Sequence, residues 1–217
     1  MINLFEKLLN LIYIQPCYFC KSSKEDTLLC SKCYSKIRFL PIKTTRIIQN
    51  CKIYACTYYE NIIKTLVKDL KYYKKKKLAI IQAKIMYEYL QKLDLSDNYI
   101  IVPVPIHSKR LKERKYNHMD LVADELSKLT NFDVNKKFLI RTKDTLKQFN
   151  LHKNERVKNI RGAFNINKEE SLAKDSKILI IDDIVATGTT LDEIIKSLKG
   201  NGYINITALT LATPELN

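Results

Sequence analysis

The sequence predicts an α/β protein: a mainly parallel β-sheet flanked by helices, preceded by a small metal-binding module. Short apolar runs alternate with stretches of helical periodicity along most of the chain, which is the pattern of a parallel sheet. One of these runs ends in two adjacent acids, and a loop of small and hydroxyl residues around Gly188 follows them. Two Cys-x-x-Cys pairs lie near the start of the chain. We expect the N-terminal helix and the cysteine module over 1–50 and the α/β domain over 51–217.

The apolar and β-prone runs predict the order of the elements. Strands are expected at 52–59, 99–103, 138–140, 163–166, 177–181 and 204–211, and helices over 62–70, 78–93, 119–129 and from about 189 onward. The strand that begins at Tyr99 should end at Pro103, because proline cannot donate to a sheet ladder. Residues 41–46 are interpreted as a linker. The long polar segment 141–161 is interpreted as a lid over the site.

The 217-residue chain is strongly basic, with a formal net charge of +15. A basic surface favours a polyanionic partner such as nucleic acid. Tyrosines and lysines are interleaved over 71–77, a pattern that suits single-stranded nucleic acid through charge and stacking. A solvated helix end explains the same segment, and a lysine-rich composition explains the charge without any partner. Both interpretations stay open.

The N-terminal segment 1–12 repeats its apolar residues at helical spacing and is interrupted by Glu6, Lys7 and Asn10. It therefore predicts an amphipathic helix and not a signal peptide. No apolar run approaches the roughly 18 residues of a membrane helix. We expect no transmembrane segment and a cytoplasmic protein. A location at the inner face of the membrane stays open.

The two cysteine pairs, Cys17 with Cys20 and Cys30 with Cys33, predict a structural zinc site. Four thiolates on two short loops give the closed tetrahedral set that structural zinc takes. So short a segment buries little apolar surface, and metal binding would supply its folding free energy. Two disulfides are the alternative, but nothing indicates secretion. Cys51 and Cys56 lie outside the spacing and are expected to be buried thiols.

The acid pair and the loop after it predict a sugar-phosphate site. Asp182 and Asp183 would hold hydroxyl groups or a hydrated cation. The loop from Ala186 to Thr190 would bind a phosphate at a helix N-terminus, where Gly188 lets the backbone approach the anion. Thr187, Thr189 and Thr190 add hydroxyl donors. An ordinary strand–turn–helix with a threonine cap is the plain alternative.

The cationic segment 106–118 follows the strand that ends at Pro103. It is predicted to be a loop at the carboxyl edge of the sheet, where open α/β sheets place ligands. Arg110 and Arg114 would face a pyrophosphate in that position, and a solvated basic turn is the alternative. His107 and His118 are individually weak signals and are expected to be structural.

Residues 178–190 comprise four apolar residues, two acids, two variable positions, Ala186 and Thr-Gly-x-Thr. This string resembles the 5-phosphoribosyl-1-pyrophosphate (PRPP) signature of type I phosphoribosyltransferases. It follows the cysteine pairs, the segment Val102-Pro103-Val104-Pro105 with its basic continuation through Arg110 and Arg114, and a further block. That block comprises Asp144, Thr145, Gln148, Glu155, Arg156, Asn159, Arg161, Gly162, Ala163 and Phe164. In this order the motifs resemble the ComF (ComFC) competence family over almost the full length.

The resemblance implies a type I phosphoribosyltransferase-like domain with a zinc finger, acting in natural transformation on incoming single-stranded DNA. It implies binding of PRPP with Mg²⁺. Asp182 and Asp183 would be the catalytic carboxylates on the ribose hydroxyls, directly or through Mg²⁺. Residues 186–190 would hold the 5′-phosphate, and Arg110 and Arg114 the pyrophosphate. A competence helicase is an implied partner.

The chain departs from the family pattern at three places. Lys115-Tyr116-Asn117-His118 stands where Gly-Phe-Asn-Gln is common, Lys74 stands at a usual glycine, and Ala186 stands where threonine is frequent. No acceptor pocket or nucleophile can be identified. Three functions stay open: a DNA-processing competence factor, a metabolic phosphoribosyltransferase of nucleotide synthesis or salvage, and a non-enzymatic DNA or helicase adaptor with a vestigial site.

Overall fold

The computed structural model describes residues 15–93, 95, 98–144 and 160–215. The chain divides between Arg38 and Phe39 into two compact units. The boundary expected after residue 50 stays a prediction. The helix expected over 1–12 lies outside the described residues. So does most of the expected lid, with Thr145, Gln148, Glu155, Arg156 and Asn159.

The first unit has one short helix, α1 (Ser31–Tyr34), which begins directly after Cys30. The Glu25 carboxylate accepts hydrogen bonds from the Ser31 backbone N–H at 2.9 Å and from its hydroxyl at 2.8 Å. Two backbone hydrogen bonds fold the preceding loop back on itself, Cys17 N–H to Ser22 O and Tyr18 N–H to Leu28 O. Local polar contacts therefore shape this unit.

The second unit contains a six-stranded sheet with the order β1-β2-β8-β7-β3-β4. Only β1 and β2 pair antiparallel, so the expected mainly parallel sheet is confirmed. Its strands are β1 (Arg46–Ile48), β2 (Cys51–Tyr58), β3 (Tyr99–Pro103), β4 (Asp133–Val134), β7 (Lys177–Ile184) and β8 (Ile206–Thr213). A separate antiparallel pair joins β5 (Leu139–Arg141) to β6 (Phe164–Ile166). β1 lies at the end of the predicted linker and, with three residues, is too short for a periodic signal.

Five helices accompany these strands: α2 (Asn61–Tyr72), α3 (Leu78–Leu90), α4 (Ser108–Arg114), α5 (His118–Thr130) and α6 (Thr189–Gly200). The apolar stripe that predicted α2 is buried, and the same holds for α6. None of the described helices combines the length and apolar character needed to cross a bilayer.

Helix α4 corrects the prediction that the cationic segment is a loop. The His107 side chain caps this helix, since its Nδ1 accepts from the Lys109 backbone N–H at 3.3 Å. None of its residues is buried, so it carries no apolar periodicity for sequence analysis to detect. It ends at Lys115, whose φ of +68° is left-handed.

The centre of the sheet positions the functional edge. Residues 178–181 of β7 and all of β8 are buried, and each large apolar side chain there contributes roughly 1.5–3 kcal/mol of burial free energy. Pro103 of β3 lies in register with Ile181 of β7. The two strands therefore end side by side, and the segments that follow them meet at one edge of the sheet.

Candidate functional site

The acid pair lies at this edge, near the end of β7. Asp183 is 6% exposed, and its Oδ2 atom is 2.6 Å from Lys71 Nζ and 3.1 Å from His118 Nε2. Lys71 comes from the last turn of α2, and His118 is the first residue of α5. Three separate elements thus bring one carboxylate and two nitrogen donors together.

The two carboxyl groups have opposite pKa shifts. Burial alone would raise the pKa of Asp183, but the charge of Lys71 and the hydrogen bond from His118 outweigh burial and hold it well below its ordinary value. Burial, together with the negative charge of Asp183, raises the pKa of Asp182. Asp183 is therefore the ionised member of the pair, and Asp182 the member that takes up a proton first. Such a pair can both accept from and donate to a ligand hydroxyl.

Sequence analysis missed Lys71 as a site residue and took His118 as structural. Burial acts to lower the pKa of Lys71, but the charge of Asp183 outweighs it, so the ammonium stays charged. Both residues reach Asp183 only through the tertiary fold, and Lys71 is 112 positions from its partner. No local pattern could have indicated these contacts.

The loop at 186–190 leads directly into helix α6, whose N-cap position is Gly188. Glycine has two roles at this position. Its φ of +83° is left-handed, and a Cβ atom would lie 2.8 Å from Ile48 Cδ1. The hydroxyls of Thr187 and Thr189 are 3.1 Å apart. Because a helix N-terminus presents unpaired backbone N–H groups, this loop has the donors that a phosphate requires.

A cavity of about 570 Å³ joins the predicted site residues. Its lining includes Lys68, Lys71, Arg110, Arg114, His118, Arg141, Asp182, Asp183 and Thr190, together with Ala186. Thr187, Gly188 and Thr189 lie in the adjoining loop and do not line this cavity. The structure therefore brings six of the predicted residues to one cavity and adds Lys71, His118 and Arg141 to them.

The cationic side of the cavity is crowded. Burial, followed by the nearby charge of Arg110, lowers the pKa of Arg141 to about 10. The Arg114 guanidinium lies 4.9 Å from the Tyr72 ring centroid, and its buried Nη1 atom has no hydrogen-bond partner among the described residues. A second cavity of about 190 Å³ shares Lys71, Tyr72, Arg110 and Arg114 with the first. Cations held this close together favour a multivalent anion.

Next to the cavity is the tyrosine–lysine turn (residues 72–77), which connects α2 to α3. The Tyr72 and Tyr73 side chains are 49% and 56% exposed. Lys68 Nζ lies 5.5 Å from the Tyr73 ring centroid. The turn thus presents two aromatic rings among lysines, and Tyr72 also lines the cavity.

The four cysteines of the first unit form a cluster. The sulfur atoms of Cys17, Cys20, Cys30 and Cys33 all lie within 4.8 Å of one another, and those of Cys20 and Cys30 are 3.5 Å apart. Zinc–sulfur bonds of about 2.3 Å in a tetrahedron place sulfur atoms about 3.8 Å apart, so the cluster fits zinc. Cys51 and Cys56 are buried in the second unit, as expected.

Comparison with known proteins agrees with this arrangement. The model of the phosphoribosyl transferase domain family matches residues 70–215. Competence protein F of Haemophilus influenzae is 31% identical over 112 residues, which are 52% of this chain and 49% of that protein. The DNA utilization protein YhgH of Escherichia coli K12 is 26% identical over 197 residues, 86% of this chain and 85% of that one. The chain therefore matches about half the length of the first relative and most of the second.

Among solved structures, adenine phosphoribosyltransferase from Leishmania tarentolae aligns with a TM-score of 0.42 and 11% identity, over 79% of this chain and 94% of that one. The expected resemblance to competence proteins is confirmed by the two relatives, and the expected fold by the family match. Because the match over residues 70–215 covers more than half of the chain and includes the acid pair and the phosphate loop, the chain belongs to the phosphoribosyl transferase domain family.

Proposed function

We propose that this protein binds PRPP together with Mg²⁺ and handles single-stranded DNA in natural transformation. One observation carries the PRPP part: a single cavity is lined by the acid pair, both ends of the phosphate loop and the arginines Arg110 and Arg114. PRPP needs these same partners, since it carries ribose hydroxyls between a 5′-phosphate and a pyrophosphate. The Thr-rich loop and the family match support the same ligand.

The contacts follow from charge and hydrogen-bonding capacity. Asp182 and Asp183 would bind the ribose hydroxyls. Residues 186–190 would bind the 5′-phosphate through backbone N–H groups and hydroxyls. Arg110 and Arg114 would bind the pyrophosphate, for which planar guanidinium groups are well suited. Mg²⁺, when bound with the pyrophosphate, would neutralise part of its charge.

A transfer reaction at this site would break the bond between ribose C1 and the pyrophosphate oxygen. Positive charge develops on the sugar as that bond lengthens, and the ionised Asp183 would stabilise it. Arg110 and Arg114 would stabilise the negative charge of the departing pyrophosphate. The site can bind PRPP without turnover, because turnover requires an acceptor as well.

The DNA part of the proposal rests on the tyrosine–lysine turn and the net charge of +15. Exposed tyrosine rings stack on bases whatever the sequence, and lysines hold the phosphate backbone as point charges. The names of the two relatives, competence protein and DNA utilization protein, support the same role. By the same resemblance we propose a competence helicase as a protein partner and the cytoplasm, at the inner face of the membrane, as the location.

A metabolic phosphoribosyltransferase is the second candidate, and one observation favours it. Besides its polar residues the large cavity is lined by Tyr59, Val67, Val104, Pro105, Ile106 and Pro214. Such an apolar wall would accept a planar nucleobase. A panel of purine, pyrimidine and amine acceptors separates the two functions. Pyrophosphate release with one of them favours the metabolic enzyme, whereas PRPP binding without turnover favours the DNA-handling factor.

Calorimetric titration of the zinc-loaded protein with Mg-PRPP, alone and with a single-stranded oligonucleotide, tests the proposal. We expect binding in each case, and we expect Asp182→Asn combined with Asp183→Asn to abolish the PRPP signal. An unchanged PRPP affinity in that double variant overturns the site assignment. Normal transformation in a strain that lacks the gene overturns the biological role.

A further inference from the structure

His118 is a buried histidine, 3% exposed, and none of the ligand contacts above uses it. Its position is set independently of Asp183, because the residue before it caps helix α5. The Asn117 side chain accepts from the Met119 backbone N–H at 3.2 Å and donates to the Val104 carbonyl at 3.1 Å. The start of α5 is thereby tied to the segment that follows β3. These two hydrogen bonds of Asn117 hold the adjacent imidazole in place.

Both donors to Asp183 bind the same carboxylate oxygen. Lys71 Nζ and His118 Nε2 lie 2.6 Å and 3.1 Å from Oδ2. Neither Lys71 nor His118 binds Oδ1 of the same carboxylate. Because a carboxylate accepts hydrogen bonds on both oxygens, Oδ1 can accept from a ligand.

Because the ionised Asp183 carboxylate can only accept, Nε2 of His118 is the donor in their contact. Burial lowers the pKa of His118, outweighing the opposite effect of the Asp183 carboxylate. A neutral imidazole facing a carboxylate carries its proton on Nε2 and leaves Nδ1 as an acceptor. Nδ1 is indeed buried without a partner among the described residues. An unpaired acceptor at this position costs less than an unpaired N–H donor would.

We propose that His118 is a positioning residue that, with Lys71, holds Oδ2 of Asp183 so that Oδ1 meets a hydroxyl group of the ribose. This inference rests on the proposed ribose-phosphate site and adds how the Asp183 carboxylate is positioned there. A carboxylate with Oδ2 already bound to an ammonium and an imidazole does not chelate a cation through both oxygens. The charge of Lys71 repels a cation further. Asp183 would therefore accept from a hydroxyl group and would not chelate Mg²⁺.

A ligand and variant series tests this role through the hydroxyl itself. The wild-type protein, His118→Leu and His118→Gln are titrated by calorimetry with ribose 5-phosphate and with its 2-deoxy and 3-deoxy derivatives. Leucine fills similar space without a donor, and the glutamine amide restores a neutral N–H donor. Should His118→Leu not fold, His118→Asn takes its place, because its shorter amide does not reach Oδ2.

We expect His118→Leu to weaken ribose 5-phosphate about tenfold, the scale of one hydrogen bond to a charged group. For the deoxy sugar that lacks the hydroxyl bound by Asp183, the same substitution should change affinity less than about twofold, since the two changes remove one interaction. His118→Gln should restore most of the ribose 5-phosphate affinity.

Equal weakening of all three sugars, or no rescue by glutamine, overturns the positioning role and leaves His118 a structural residue. Failure of the wild-type protein to bind either ribose 5-phosphate or PRPP is a different result. It overturns the proposed function itself, so the two failures are distinguishable.

Discussion

Lys71 and Asp183 form an ion pair across the edge of the sheet, with 2.6 Å between Nζ and Oδ2. The carboxylate is nearly buried, whereas the lysine side chain keeps 23% of its surface exposed. The pair links the last turn of α2 to the end of β7. It therefore connects the tyrosine–lysine turn to the acid pair.

Removing one partner of this pair should destabilise the fold. We expect Lys71→Met to lower the free energy of unfolding by about 2 kcal/mol, below the roughly 3–5 kcal/mol of a fully buried pair because Lys71 is partly exposed. Urea unfolding at neutral pH measures it. Lys71→Met combined with Asp183→Asn should lower the free energy of unfolding by less than the sum of the single changes. The reason is that Asp183→Asn removes the carboxylate charge that Lys71→Met leaves unpaired. Additive losses would show that the two groups do not interact.

Asp120, in the first turn of α5, should make stability depend on pH. Burial raises its pKa to about 6, although a hydrogen bond from Asn117 acts in the opposite direction. Between its ordinary value near 4 and this raised value, the folded protein binds more protons at Asp120 than the unfolded chain does. The stability that Asp120 contributes is therefore fully present below its ordinary pKa and is lost as the pH rises to the raised pKa.

Asp120→Asn tests this pH dependence with little change of shape. The substitution should remove the Asp120 part of the slope and raise the free energy of unfolding at pH 7 by about 1 kcal/mol, allowing for partial exposure. Denaturant unfolding from pH 4 to pH 7 measures both quantities. Asp133→Asn, at an exposed position, removes the same charge and is the control. An identical slope in Asp120→Asn and the wild type would contradict the raised pKa.

Gly188→Ala should disable the phosphate loop. The left-handed φ costs an alanine roughly 1–2 kcal/mol, and its Cβ would meet Ile48 Cδ1 at 2.8 Å. We expect ribose 5-phosphate affinity to fall more than about tenfold as the loop shifts. Combining it with Ile48→Val removes the contacting methyl group and should restore only part of the affinity, because the φ strain remains.

Gly200→Ala is the matched control for Gly188→Ala. Gly200 ends α6, and a Cβ added there meets no atom of the described residues within 4 Å. It should leave ligand affinity unchanged and stabilise the protein by up to about 1 kcal/mol through helix propensity. Equal losses of affinity from both substitutions would indicate a general effect on α6 and not on the loop.

The parts of the fold and site that could be predicted are those that depend on residues close together in the sequence. The end of β3 at Pro103 follows from its missing N–H, and the apolar stripe of α2 follows from its spacing. Asp182, Asp183 and the loop at 186–190 are adjacent in the chain and share one motif. In each case the pattern and the structure that it produces lie within a few residues of each other.

The parts that could not be predicted depend on tertiary contacts or lack a buried face. Lys71 and His118 become site residues only when two helices meet β7. Helix α4 buries no side chain, so its sequence carries no helical period. β1 is short, yet its Ile48 side chain sets the space around Gly188. A sequence window contains none of these relationships.

The cysteine cluster should bind one zinc ion per chain. We expect Cys17→Ser to lower the zinc content and to make residues 15–38 sensitive to protease, because metal binding supplies the folding free energy of so small a unit. Metal analysis and limited proteolysis with mass spectrometry measure the two effects. Cys51→Ser, in the second unit, is the control and should retain zinc. Full zinc content in Cys17→Ser would exclude this thiol as a ligand.

The tyrosine–lysine turn should bind single-stranded DNA through two separable contributions. Replacing Tyr72 and Tyr73 with leucine removes stacking, which is worth roughly 1–3 kcal/mol per base, and should leave the salt dependence of binding nearly unchanged. Replacing Lys75 and Lys76 with glutamine should weaken binding and reduce the slope of log K against log salt by about 1.4, since each lysine releases about 0.7 of a counterion from a single strand.

Fluorescence anisotropy with a labelled oligonucleotide over a range of salt concentrations separates these contributions. Lys137→Gln with Lys168→Gln, two exposed positions outside the turn, removes the same charge and serves as the control. If the control lowers the slope as much as the change at Lys75 and Lys76, binding follows net charge and not the turn. If the tyrosine variant keeps full affinity while the lysine variant loses it, the rings do not stack on bases, and the turn contributes only charge.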